Sequence, residues 1–372
     1  FRKTSGSAAM VVADQLVGVA LEITLGARGT AVLDIARAPT DGRLLSQSGT
    51  QSFTSYASFL IGHAGFPDSV NIRKNAERAL QADGESTDLI IAFFRRYPPL
   101  SATAGLRFAE ALAARGLRDE ARTTARNAWT SGALSAEDET RFFSSFSDAI
   151  PPADHDQRMD RLLWDRATTA AARQIGLTSP QRRAVFEARL AMLTKAPDAE
   201  AKSALIFESA KNDPGFLADR NWWQRNTGQL RESRELLAAP RSLDNPPHDP
   251  GKWLDILFVT AKAASNDGQF SLAYNIARQL PETYPAGTIV SERPFAERDT
   301  YTDLAWLGGQ AAMTQLGRPK DAVALFNLYA NAAQSAQTRA KGLYWAGRAA
   351  EAAGQQELAA SYYNSAGAFF DQ

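Results

Sequence analysis

From about residue 53 onward, apolar residues recur every three or four positions in short blocks, which predicts a train of amphipathic helices. The block "SATAGLRFAEALAARG" (101–116) opens on Ser101 as an N-cap and closes near Gly116. It carries Leu106, Phe108, Ala109, Leu112 and Ala113 at helical spacing. "PPADHDQRMDRLLWDR" sets Met159, Leu162, Leu163 and Trp164 on or near one side. "SPQRRAVFEARLAML" takes Ser179 as cap and Pro180 in the first turn, with an apolar face of Val185, Phe186, Leu190 and Leu193. Proline pairs at 98–99, 151–152 and 246–247 punctuate these blocks. "DNPPHDPG" (244–251) reads as a rigid linker. Residues 281–299 read as a long loop, in which "GTIVSERPF" suggests a brief extended piece. The chain thus divides into an uncertain segment 1–52, a first helical part 53–243 and a second helical part 244–372.

A repeat runs through the blocks. Gly354 is followed five residues later by Ala359, Gly317 by Ala322, Gly268 by Ala273 and Gly116 by Ala121; Gly228 and Ser233 form a weaker copy. The glycine ends one helix in a tight turn, and the small residue lets the next helix approach closely. Phe326 and Tyr363, four positions further on, fill the groove beyond, and Trp306 precedes Ala322 by 16 residues, where a tetratricopeptide-like repeat carries its aromatic. Successive glycines are 112, 40, 49 and 37 residues apart, so the array is degenerate and not a regular tandem. No pair buries its apolar face alone, so stacking is required. The expected fold is all-α, an irregular tetratricopeptide-like superhelix, ring or horseshoe shaped.

Composition narrows the function. Lys plus Arg and Asp plus Glu both total 41, and this balance argues against non-specific nucleic-acid binding. The absence of cysteine removes disulfides, thiolate nucleophiles and cysteine-based metal sites. The most apolar N-terminal stretch, "MVVADQLVGVALEITL" (10–25), is interrupted by Asp14, Gln15 and Glu22 and does not read as a signal-peptide core. No stretch reaches the roughly 20 apolar residues of a membrane span.

Reactive constellations are scarce. The three histidines, at 63, 155 and 248, have no metal-ligand spacing, and His155 between Asp154 and Asp156 reads as part of a helix N-terminus. No metal, cofactor or catalytic residue is expected in this chain. Aromatics near arginine are the better binding candidates: Trp222 and Trp223, of which one reads as core; Arg298, Tyr301 and Trp306; Arg339, Tyr344, Trp345 and Arg348, with a place in the repeat core as the alternative and the favoured reading for Trp306 and Trp345.

"YWAGRAAEAAGQQELAASYYNSAG" resembles the last helical repeat of the soluble lytic murein transglycosylases, whose signature is an aromatic–Trp–Ala–Gly–Arg–Ala run followed by Gly, Ala and Tyr. "AWTSGALSAEDETRFFSSFSDAIPPADHDQRMDRLLWDR" and "VSERPFAERDTYTDLAWLGGQAAMTQLGRP" are also alike, so the resemblance covers roughly 53–372. It implies the non-catalytic superhelical arm of a periplasmic enzyme of cell-wall turnover. In that family a lysozyme-like domain follows the arm and cleaves MurNAc–GlcNAc bonds of peptidoglycan to 1,6-anhydro products, using a Glu in a Glu-Ser motif. Glu85-Ser86 lacks the Gly-Leu-Met-Gln segment that follows that motif, and Ala273-Tyr274-Asn275 falls inside a repeat, so neither is read as catalytic. A catalytic domain is expected after residue 372. The implied partners are glycan strands and that domain, with Arg298, Tyr301, Arg339 and Arg348 as the expected contacts. The alternative is a stand-alone tetratricopeptide-like scaffold that binds a protein.

Overall fold

The structure is a computed structural model that describes residues 42–47 and 49–369. Most of the segment 1–52 lies outside the described residues. The fold is all-α, and among the described residues there is no strand. The expected extended piece at 287–295 is instead a 3-10 turn, Val290–Glu292, followed directly by a helix. Pro294 and Gly287 favour turns, and among the described residues no neighbouring strand offers a ladder.

The chain forms two compact units that part between Ala149 and Ile150. The first unit, after a short helical segment at 42–47, contains α1 (Phe53–Gly62), α2 (Ser69–Ala79), α3 (Thr87–Arg96), α4 (Ala102–Ala114), α5 (Arg118–Ser131) and α6 (Ala136–Phe146). Phe53, Phe93, Phe94, Trp129 and Phe142 are its large buried residues. Serine side chains cap four of these helices: Ser52, Ser86, Ser101 and Ser135 each accept a backbone N–H three residues on. Ser86 accepts from Leu89, which accounts for Glu85-Ser86 as a helix start. In α4 the expected apolar face is buried except for Ala113, which is exposed. Arg107 of the same helix is buried against Asp138 and Glu110.

The second unit runs from α7 (Pro152–Trp164), α8 (Thr168–Gln174), α9 (Pro180–Thr194), α10 (Ala199–Ala210), α11 (Pro214–Asn226) and α12 (Leu230–Ala238) to α13 (Pro250–Asn266) and α14 (Phe270–Ala277). It ends with α15 (Phe295–Gln310), α16 (Pro319–Ala332), α17 (Ala336–Ala352) and α18 (Gln356–Gly367). Five of these helices begin with proline in the first turn, where its missing N–H has no partner to lose. One core runs from Trp164 and Leu237 through Trp253, Leu257 and Leu304 to Phe326 and Ala359. It therefore crosses residues 244–251 without a break. That proline-rich stretch is tied down at its start: the Leu243 N–H donates to Glu282 and the Asp244 N–H to the Asn212 carbonyl.

The glycine–alanine pairs work as the spacing predicts. Gly116, Gly228, Gly268, Gly317 and Gly354 have φ between 61° and 85°. Ala121, Ser233, Ala273, Ala322 and Ala359 are all at most 2% exposed. Within the helices, other glycines mark crossings too close for a side chain. A Cβ on Gly342 would lie 2.8 Å from the Ala330 Cβ and 2.9 Å from its Cα.

Gly342→Ala is expected to destabilise the fold by up to about 2 kcal/mol, because overpacking at about 1–3 kcal/mol is set against a helix-propensity gain of about 1 kcal/mol. Gly367→Ala, which meets nothing within 4 Å, should stay within about 0.5 kcal/mol of the parent on a surface position. Urea midpoints of the two variants check this contrast.

Candidate functional site

The last four helices carry a continuous aromatic ridge. Trp306 of α15 lies 5.2 Å from Tyr329 of α16 and 5.6 Å from Trp345 of α17, between ring centres. Trp345 meets Tyr344 at 6.4 Å, and Tyr344 meets Tyr363 of α18 at 5.9 Å. The ridge grades from interior to water: Phe326 is fully buried, Trp306, Trp345 and Tyr363 are half-buried, and Tyr344 is 44% exposed. Such graded rings combine a fixed base with wet, contactable edges.

Charged and hydroxyl groups flank the ridge. The Lys341 ammonium stands 3.7 Å from the Trp306 ring centre. Arg348 Nη1 donates to the Tyr344 hydroxyl at 3.2 Å, and the Tyr363 hydroxyl donates to Glu351 at 2.8 Å. Burial and the Glu351 bond push the Tyr363 phenol up to about 12, so it stays a donor at neutral pH. The ridge therefore offers apolar ring surface beside donors and a carboxylate, a mixture suited to a polyhydroxylated ligand with apolar faces.

The four contacts expected from sequence do not converge. Tyr301 is buried at 3% exposed and is no surface contact; its position on α15 faces the core, and burial raises its phenol to about 12. It forms part of a cavity of about 500 Å³ under the loop 284–290, together with Tyr284, Leu328 and Asn331. Arg298 is half-buried, donates from Nε to the Arg293 carbonyl at 2.9 Å and lies over the Phe295 ring. It lines a separate cleft with Thr302 and Thr338. Arg339 is exposed and stands over Phe369. Of the four, Arg348 alone belongs to the aromatic ridge.

The structure adds residues that the sequence reading missed. Tyr329 and Lys341 complete the ridge; Lys341 follows Arg339 by two residues and Tyr329 precedes the turn to α17, so neither stood out as a motif. Arg189 was hidden inside an apolar helix pattern. It is fully buried, donates from Nε to Asp219 at 2.6 Å and pairs with Asp160 through Nη1. Its guanidinium lies against Gly215, where a Cβ would come within 2.3 Å of Nη1. This one side chain thereby joins α7, α9 and α11. Burial alone would lower the Arg189 pKa, but Asp219, Asp160 and Asp213 reverse the effect and raise it. Burial raises Asp219 to about 6 despite the Arg189 bond, and the like charge of Asp160 adds to the rise.

His155 is half-buried, and the Gln174 amide donates to its carbonyl at 3.1 Å. Asp156, beside it, accepts from Ser179 N and Oγ and so braces the start of α9. No group of three or more His, Asp and Glu side chains is placed to hold a metal among the described residues. Nor is any helix there long and apolar enough to cross a membrane. No protein-family model matches the chain, and no curated protein matches it.

Arg189→Met strands two acids in the interior and should cost about 3–5 kcal/mol in a urea titration. The pH dependence has a definite sign. The folded-state pKa of Asp219 lies above the unfolded value of about 3.9, so its ionisation favours the unfolded chain. Its contribution to stability falls as pH rises from about 4 to about 6. Asp219→Asn should remove that fall, read as the difference between the two proteins' unfolding midpoints across this window.

Proposed function

We propose that this chain is the non-catalytic superhelical arm of a periplasmic peptidoglycan lytic transglycosylase. Its work is to hold murein glycan strands and to support a lysozyme-like domain that cleaves MurNAc–GlcNAc bonds. The reading begins from the resemblance of "YWAGRAAEAAGQQELAASYY" to the last helical repeat of that family. The observation that carries it is the aromatic ridge on α15 to α18, with Lys341 and Arg348 beside half-exposed rings.

The physical reason is the chemistry of the partner. A pyranose ring has apolar C–H faces and a rim of hydroxyls. Exposed aromatic ring faces take up the C–H faces, and charged side chains bond the rim better than neutral ones. Tyr344 and Arg348 are the outermost pair and are already joined by a hydrogen bond, so little ordering is needed when a strand arrives. No residue of the chain is given a catalytic role in this reading.

Retention on insoluble peptidoglycan tests it. The combined Tyr344→Ala and Arg348→Gln protein should bind about tenfold more weakly, a loss of about 1.4 kcal/mol, with an unchanged melting temperature because both side chains are exposed. Equal retention of parent and variant removes the ridge from the account. Capture of a protein partner without peptidoglycan retention favours a scaffold of the tetratricopeptide type. On a peptidoglycan zymogram the chain alone should clear nothing, and a cleared band overturns its non-catalytic assignment.

A further inference from the structure

At six helix ends among the described residues, one residue takes a left-handed backbone and the next N–H reaches back to a carbonyl five positions upstream. Four of these ends use glycine: Gly116, Gly228, Gly268 and Gly354. The other two use Arg166 and Lys195, with φ of 54° and 52°. There the Ala167 N–H meets the Leu162 carbonyl, and the Ala196 N–H meets the Ala191 carbonyl, both at 2.9 Å. Glycine takes this conformation without the strain that a Cβ brings. Two cations therefore stand where the fold favours glycine.

Both side chains go to the same ring. The Arg166 guanidinium is 4.7 Å and the Lys195 ammonium 5.6 Å from the centre of the Trp222 ring. Trp222 itself is half-buried, while its neighbour Trp223 is in the core. Arg225, three residues further along α11, joins them. It is half-buried, and burial first and the charge of Arg166 second lower its pKa, while Arg166 and Lys195 are exposed.

Among the described residues, none of Arg166, Lys195 and Arg225 is salt-bridged, whereas nearby Arg161, Arg182, Arg189 and Lys252 all are. Of the acids that share a cleft with Arg166, Asp165 is engaged with Arg161 and Lys252 and Asp219 with Arg189, while Asp255 accepts from Thr300 Oγ1. The three cations sit at helix C-terminal ends, whose dipoles are worth about half a negative charge each against a full charge per side chain. These dipoles and the acids beside Arg166 offset part of the charge of the three cations, in a chain whose formal net charge is zero.

We infer that Trp222, Arg166, Lys195 and Arg225 form a binding site for an oxyanion, the carboxylate or phosphate group of a ligand. Trp222 fixes two of the cations, and the planar guanidinium forks match either oxyanion. The site is independent of the aromatic ridge and of the proposed cell-wall role.

The test uses the full chain labelled with 5-fluorotryptophan, with Trp222→Phe to assign the Trp222 fluorine resonance. Sodium phosphate and sodium glutarate are titrated separately at constant ionic strength, with sodium chloride as control. The Trp222 resonance should move saturably with at least one oxyanion, with half-saturation at or below about 10 mM, and not with chloride. A tighter response to phosphate identifies a phosphoryl ligand, and a tighter response to glutarate a carboxylate. The protein carrying both Arg166→Gly and Lys195→Gly keeps its melting temperature, since glycine suits both backbones, and should bind at least about tenfold more weakly. No saturable shift with either oxyanion, or parent-like binding by the glycine variant, overturns the inference.

Discussion

At five helix crossings a glycine stands where a Cβ atom would collide with the neighbouring helix. Gly105 faces Ala128, Gly308 faces Ala277, Gly309 faces Phe326, Gly342 faces Ala330, and Gly347 faces Tyr363. Everything else in the repeat depends on this approach. Helices that come so near bury a narrow apolar stripe almost completely, which is why alanine can serve as a core residue at 273, 305, 322 and 349. The gaps also give large rings a shelf. Tyr363 lies on Gly347 and Phe326 on Gly309, and Tyr329 touches the Gly342 position. The aromatic ridge is therefore an outgrowth of the packing rule, with its base fixed by glycine and its outer edge left in water.

Charge works differently in the two places that matter. Arg189 is consumed by structure: three helices meet on it, and it is fully buried with two acids bonded to it. Arg348 and Lys341 lie over or beside rings with their outer atoms exposed. A zero formal charge conceals this division. The balance excludes a broad positive field, yet it says nothing about which arginines are spent on carboxylates and which are free to meet a ligand.

The fold was readable because its rule is local. A glycine, a tight turn and a small residue five positions on can be found without knowing which helix meets which. Serine caps at 101 and 179 and the burial of Met159, Leu162, Leu163 and Trp164 follow from the same short-range logic. The site was less readable because it is assembled across helices. Tyr301 is separated from Arg298 by less than one helical turn, yet one is core and the other half-buried in a cleft. Lys341 gains its meaning only from Trp306, 35 residues earlier in the chain. Arg189 belongs to no motif that singles it out along the chain, and its partners at 160 and 219 lie on two other helices.

The central claim is that the ridge on α15 to α18 meets glycan. Hydrogen exchange of backbone amides, followed with and without soluble murein glycan strands, tests it most directly. The account predicts slowed exchange concentrated in peptides that cover residues 300–310 and 339–352, with the helices of the first unit unchanged. Unaltered exchange in those peptides, or protection confined to other helices, contradicts it.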